Sequence, residues 1–281
     1  MVTKNDYATR EVDACRSVLL ELMTILGEFR DNIVLIGGNV PAYIIKSEKE
    51  EHIGSLDIDI AFNFMKIEAD AYDTILKLLK GRGYYQEPGK QPFIFFRDVT
   101  DKNGDKIKVE INLLSGQYGG TGKSRRHQQV QDVLARKSRG CDLVFENSID
   151  VKISGKMPDG ANNEINIKIA SIGPFLVMKG MALWDRYKEK DAYDIYYCCK
   201  YYPGGMMELE KDIRPVINNT LAKEGFGKIR SKFMDVNSAG PVWVANFLEI
   251  SDTEEIERVK REAFELVDYI MGKLGIQSFE E

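Results

Sequence analysis

The sequence predicts an α+β protein: a mixed sheet flanked by helices over residues 1–170, then a helical region over 171–281. Three observations point there. An amphipathic stripe at three- and four-residue spacing opens the chain, short period-two apolar runs separated by turn signals fill its middle, and from Pro174 onward helical spacing alone recurs. With 281 residues the chain can bury one large or two modest cores, and a soft domain boundary falls near Ser171.

In chain order, Val12, Cys15, Leu19, Leu22, Leu26 and Phe29 form the apolar stripe of a first helix, about Tyr7 to Phe29, that should pack on the sheet. A strand at Ile33 to Ile36 ends in Gly37-Gly38. Asn39 is placed to cap a helix reaching Ile45, with Pro41 in its first turn where a missing N–H costs little. A second strand follows at Leu56 to Phe62, then a helix from Lys66 to Lys80 stopped by Gly81. Strands at Phe93 to Arg97 and Lys106 to Leu114 flank Asn103-Gly104, the strongest short hairpin signal. Further strands are expected at Asp142 to Ser148, Val151 to Ser154 and Asn163 to Ala170, the last two joined by a turn at Met157 to Gly160. In the C-terminal third, helices are expected from Pro174, from Lys190, from Met206 to Lys223, and from a Ser251/Glu254 capping box to the end. Gly225 and Gly227 lie outside them, followed by a short basic run of Lys228, Arg230 and Lys232.

The chemistry concentrates at Asp57 and Asp59. Residues two apart on a strand point the same way, so these carboxylates share one face while Leu56, Ile58 and Ile60 take the other. Like charges that close call for a cation between them, and an oxygen-only set suits a divalent metal, Mg²⁺ or Mn²⁺. Alternation alone also allows a solvated edge-strand face. Further on, Lys179 stands in an otherwise apolar helical turn, where an unpaired ammonium is expensive and should meet an anion. Lys190 and Asp191 open the next helix, with Asp194 close to the same face; a helix pair stitched by surface ion pairs is the plainer reading.

The arrangement Gly37-Gly38, spacer, Ser55, Asp57-x-Asp59 resembles the nucleotidyltransferase superfamily of the polymerase-beta type. The downstream text, Lys179, Ala182, Leu183, Arg186, Lys190, Asp191 and Asp194 in register, narrows the resemblance to the AbiEii/MenT group of toxin nucleotidyltransferases. It covers about 160 residues, and the 18 residues between Gly38 and Asp57 exceed the usual spacer, which places the charged run Lys46 to Glu51 in an inserted loop. The resemblance implies a nucleotidyltransferase-fold sheet and transfer of an NMP from a nucleoside triphosphate to an acceptor. That acceptor would be RNA, especially the 3′ end of tRNA, and the chain would be the toxin partner of a cognate antitoxin. It implies Gly37, Gly38 and Ser55 at the phosphates and Asp57 and Asp59 at the metal. It also implies Lys179 and Asp191 in catalysis, and Lys179 and Asp194 in nucleotide binding. By the same resemblance Glu110, the polar centre of its strand, is the third metal carboxylate; pairing with a cross-strand lysine is the alternative. A catalytically degenerate nucleotide- or partner-binding module on the same fold is the competing function.

The segment Gly116 to Gly140 reads as a glycine loop before a polar helix. Its Gly122-Lys123-Ser124 imitates a phosphate-binding P-loop, but the required earlier glycine is Gln117, so the match fails in spacing. What remains is a basic patch in which Lys123, Arg125 and Arg126 are the RNA-binding candidates, a solvated loop being the alternative. The net charge of −5 argues against general nucleic-acid binding. Two histidines and four scattered cysteines leave few parts for a zinc enzyme or a Ser-His-Asp hydrolase, and reduced thiols fit a reducing compartment. With no apolar run long enough to span a membrane and no apolar signal core near the start, the expected location is the cytoplasm, with no membrane partner.

Overall fold

A computed structural model describes residues 3–7, 9–47, 50–67, 69–117, 127–130 and 133–280, with the backbone alone for 69–74, 127, 129, 130 and 133. The chain divides into a sheet unit, Ala8–Val40 with Gly54–Ala170, and a helical unit, Met1–Tyr7 with Pro41–Ile53 and Ser171–Glu281. The architecture is thus a mixed sheet with flanking helices and a helical C-terminal region. Among the described residues, no helix is long and apolar enough to cross a membrane.

In the sheet unit, α1 (Thr9–Ile25) buries Val12, Cys15, Val18, Leu19 and Leu22 along one face, as its stripe requires. β1 (Ile33–Ile36) is buried throughout and ends in a 3-10 turn, Gly37–Asn39, that leads into α2 (Val40–Ile44). The side chain of Asn39, expected as a helix cap, donates instead to the Asp57 carbonyl at 2.7 Å. Then come β2 (Asp57–Phe62), α3 (Ala69–Gly81), β3 (Ile94–Thr100), β4 (Lys106–Ser115), β5 (His127–Val130), β6 (Val133–Lys137), β7 (Ser148–Lys156) and β8 (Asn162–Ala170). The eight strands form one sheet in the order β5-β6-β4-β2-β1-β8-β7, with β3 paired to β4.

β2 and β4 are parallel neighbours, while β1 and β2 are antiparallel. Alternation sends Ile58, Ile60, Val109 and Ile111 to one buried face. α1 covers that face: its Glu21 pairs with Arg97 at 3.0 Å, and Arg97 stands opposite Val109. The other face presents Asp57, Asp59, Glu110 and Asn112, all half-buried. The Asn103-Gly104 hairpin closes as expected, with Gly104 at φ +88° and the Asp101 carboxylate accepting from the amides of Asn103 and Asp105 at 2.8 and 2.9 Å. The helix expected after the glycine loop is replaced by β5 and β6, because the segment Val133–Lys137 finds the parallel edge of β4 at Leu114 and Ser115. The strand expected from Asp142 is a 3-10 turn, Cys141–Phe145, that buries Cys141, Leu143 and Val144 together.

The helical unit holds α4 (Ile172–Arg186), α5 (Glu189–Tyr201), α6 (Gly205–Ile213), α7 (Thr220–Lys232), α8 (Ala239–Leu248) and α9 (Thr253–Lys273). The single helix expected over Met206 to Lys223 is broken at Arg214-Pro215, and α7 starts afresh where the Asn219 side chain accepts from the Leu221 amide at 2.9 Å. Gly225 and Gly227 therefore sit inside α7. Their use is contact: a Cβ on Gly180 would lie 2.0 Å from the Gly225 carbonyl oxygen, and one on Gly225 would lie 2.7 Å from that of Val177, so α4 and α7 touch through bare backbone. α9 is capped one residue later than expected, Asp252 accepting from the Glu255 amide at 2.9 Å.

Candidate active site

Two constellations carry the chemistry, one in each unit. In the sheet unit, Gly37 turns the chain at φ +73° as β1 ends, and Ile36 stands opposite Asp59. A Cβ on Gly37 would fall 2.0 Å from Asp59 Oδ2 and 2.8 Å from its Cγ, so the carboxylate of Asp59 lies directly over the glycine. Gly54, at φ +85°, makes the turn into β2; a Cβ there would meet Val12 at 2.7 Å. The next residue, buried Ser55, donates its hydroxyl to Asp57 Oδ1 at 2.5 Å. The main chain of Asp57 is held as well, its carbonyl accepting from Asn39 Nδ2 at 2.7 Å and from the Cys15 thiol at 3.6 Å. Burial pushes that thiol up to about 12, so Cys15 serves as a small packed donor rather than a nucleophile.

Across the β2–β4 ladder, Asp57 stands beside Glu110 and Asp59 beside Asn112. Both pairs share a face, since parallel neighbours in register point the same way. Among the described residues, no three acidic, histidine or cysteine side chains converge closely enough to hold a metal ion. Glu110 is therefore a neighbour of the aspartate pair without completing a three-carboxylate cluster. Two carboxylates from one strand, with a glycine beneath one of them, nevertheless form a hard oxygen set of the kind Mg²⁺ accepts when its remaining positions go to water and phosphate. The donor set fits the metal.

Sequence reasoning missed two members of this neighbourhood. Asn112 has the same strand parity as Glu110, a signal available but unused. Asp142 accepts from the Gln117 amide at 2.9 Å and lies where a Cβ on Gly116 would go, 2.0 Å from its Oδ1. Asp142 and Asp59 both act on the buried Cys141 thiol, which burial first and then these carboxylates push up. Lys123, Arg125 and Arg126 lie outside the described residues.

In the helical unit, Lys179 of α4 meets Asp191 Oδ1 at 2.7 Å and Asp194 Oδ2 at 2.6 Å, both on α5. Arg186 holds Asp191 through Nε at 2.9 Å and a second guanidinium nitrogen at 3.0 Å, a bidentate fork. Lys190 reaches Asp194 Oδ1 at 2.5 Å, and His52 Nε2 reaches the same oxygen at 2.9 Å. An ionised carboxylate only accepts, so His52 carries its proton on Nε2. Its ring packs against Tyr193 and Tyr197, and the amide of His52 bonds the Tyr197 hydroxyl.

The electrostatics follow from burial set against pairing. Burial works against the Lys179 ammonium, but Asp191 and Asp194 outweigh it and hold the pKa above its usual value. Burial likewise opposes both carboxylates, and Lys179 with Arg186 at Asp191, and Lys179 with Lys190 at Asp194, holds them below the usual range. For His52, burial and then Lys190 win over Asp194 and bring the pKa down to about 4, so the ring is neutral at pH 7. Burial also lowers Lys190. Three basic side chains thus share two carboxylates, and Arg186 alone of them is half-exposed, at 52%.

No protein-family model matches the chain, and no curated protein matches it. Among solved structures, the chain is similar to an antigenic nucleotidyltransferase-like protein from Paracoccidioides brasiliensis, with 16% identity, TM-score 0.43, and 81% of this chain and 92% of that one covered. It is also similar to MenT4, a nucleotidyltransferase toxin from Mycobacterium tuberculosis H37Rv, with 11% identity, TM-score 0.43, and 99% and 100% covered.

Proposed function

We propose that the protein is a divalent-metal-dependent nucleotidyltransferase that moves an NMP from a nucleoside triphosphate to an RNA acceptor, the 3′ end of tRNA, releasing pyrophosphate, as the toxin of a toxin–antitoxin pair. The observation that carries this reading is the aspartate pair of β2, with Asp57 oriented by Ser55 and Asp59 lying over the bare Cα of Gly37. Asp57 and Asp59 would hold Mg²⁺ or Mn²⁺, with Glu110 beside them, and the metal when bound neutralises phosphate charge and lowers the pKa of an attacking hydroxyl.

The remaining steps belong to the chain itself. Ser55 removes one rotamer choice from Asp57, and Asn39 pins the strand at its root, so the carboxylates keep their orientation between turnovers. The turn at Gly37-Gly38 offers backbone amides to phosphate oxygens without a side chain in the way. Lys179 and Asp191 enter the proposal in catalysis, and Lys179 and Asp194 in nucleotide binding, supported by a cluster with more cations than carboxylates. Lys179 is the fixed cation and the two aspartates hold it still. Lys123, Arg125 and Arg126 are proposed to contact RNA.

The test is incubation of purified protein with each α-labelled NTP, Mg²⁺ and total RNA, beside the Asp57→Ala, Asp59→Ala double variant. Label on RNA from wild type alone supports the proposal. Equal transfer by the double variant sinks it, because the carboxylates would then be dispensable. A second reading, a catalytically degenerate nucleotide-binding module, is favoured by the lack of a three-carboxylate group among the described residues. It predicts NTP binding with no pyrophosphate released.

A further inference from the structure

The basic run that closes α7 is not used by the proposed reaction, and it lies within an aromatic cluster. Lys232 Nζ stands 4.6 Å from the ring centre of Trp184, 5.0 Å from that of Tyr187 and 5.9 Å from that of Trp243. Tyr187 and Trp243 meet edge to face, 82° apart, and Trp184 meets Phe279 the same way at 79°. Phe279 is fixed by its backbone, its amide donating to Ser231 Oγ at 2.8 Å, and Lys228 lies 4.9 Å from its ring centre. Lys228 is neutralised by Glu224 at 2.8 Å, whereas among the described residues no carboxylate stands within ion-pair distance of Lys232.

Tyr187 is the odd member. It closes α4 in the left-handed conformation, at φ 42° and ψ 52°, where a glycine is ordinarily found and a bulky residue is strained. The residue is 66% exposed, so burial returns little for that strain. A strained tyrosine held out to solvent beside an uncompensated cation is better explained by a ligand than by stability.

We propose that this patch binds single-stranded RNA, with bases stacking on Tyr187 and Trp243 and a backbone phosphate meeting Lys232. Charge selects the class of occupant. The ammonium of Lys232 already sits against all three rings and would repel a methylated ammonium, so the partner must combine flat π faces with negative charge. Geometry selects a strand over a lone nucleotide. Rings 82° apart cannot sandwich one base, but they can serve successive bases of a flexible strand, and a duplex keeps its bases stacked and out of reach. The choice of RNA over DNA rests on the acceptor proposed above.

The experiment is fluorescence anisotropy of the full chain with a labelled 12-nucleotide single-stranded RNA, the same strand in a duplex, and unlabelled ATP as competitor, all in EDTA. The chelator stops metal-dependent transfer, so binding can succeed where the transferase reading fails, and the reverse. Wild type is expected to prefer the single strand. Tyr187→Gly should weaken it by about five-fold or more while its melting temperature stays level or rises, since glycine relieves the left-handed strain. Lys232→Gln should lower the salt dependence by roughly one phosphate contact. Unchanged affinity in Tyr187→Gly, equal affinity for the duplex, or displacement of the strand by ATP at an equal concentration would each overturn the proposal.

Discussion

Replacing Gly37 by alanine puts a methyl group where the Asp59 carboxylate already stands, 2.0 Å from Oδ2, 2.8 Å from Cγ and 2.9 Å from Cβ. Two costs add. Alanine at φ +73° carries the left-handed penalty of roughly 1–2 kcal/mol. Forcing a group into an occupied place costs about 1–3 kcal/mol more, because Asp59 is tied to β2 and must leave its rotamer or bend the strand. The expected destabilisation is about 2–5 kcal/mol. Asp59→Ala removes Oδ2 and Cγ but keeps Cβ, so in that background the same glycine substitution should cost less by about 1–2 kcal/mol. Urea unfolding of the four proteins of this cycle measures both quantities, provided the m-values agree. The transfer assay adds a functional readout: Gly37→Ala should abolish labelling even at temperatures where it remains folded, since the displaced carboxylate no longer faces its partner Asp57. A cost below ~0.5 kcal/mol, or a coupling within ~0.5 kcal/mol of zero, would refute the claim that the glycine exists to seat Asp59.

Two further outcomes concern the helical unit. Lys179→Met leaves Asp191 and Asp194 buried with one cation fewer, and should destabilise by about 3–5 kcal/mol at pH 7 by denaturant unfolding; a loss under ~1 kcal/mol would mean the remaining cations suffice. Because His52 titrates at about 4 folded against 6.5 as its reference, the unfolded chain binds its proton first, so stability should fall as pH drops from 6.5 towards 4. The size is roughly 3 kcal/mol, and His52→Gln should remove that part of the slope; an unaltered profile would show that the ring protonates without cost in the fold.

Much of the sheet unit was readable from residue order because its signals are local. Alternation puts Asp57 and Asp59 on one side whatever surrounds them, and Asn103-Gly104 closes its hairpin through bonds to Asp101 only two and four residues away. Errors arose where a distant contact outweighed a local preference. Glycine is a poor helix former, so Gly225 and Gly227 suggested a break. Inside α7, Gly225 is instead what lets that helix meet α4, because any side chain would strike Val177. His127–Val130 and Val133–Lys137 look helical by polarity but pair as strands once the edge of β4 is present. His52 gave no signal at all: it follows a charged run, has no periodic neighbours, and gains meaning only from a carboxylate on α5. Asp142 is similar, since its neighbours come from a distant turn, whereas Asn112 shares the strand parity of Glu110 and was legible in the sequence.

The bond between His52 and Asp194 joins positions 142 residues apart, and Tyr197 likewise reaches back to the carbonyl of Glu50. On a ribosome adding about 5–20 residues each second, roughly 7–28 s separate the birth of the imidazole from that of its acceptor. β1 is already made when that interval opens, and the other seven strands of the sheet are polymerised within it. The Pro41–Ile53 segment of the helical unit therefore waits for its partners on α5 until that helix emerges. Substitutions in this short stretch should consequently show themselves first in the yield of folded protein from synthesis, more than in the endurance of molecules already complete.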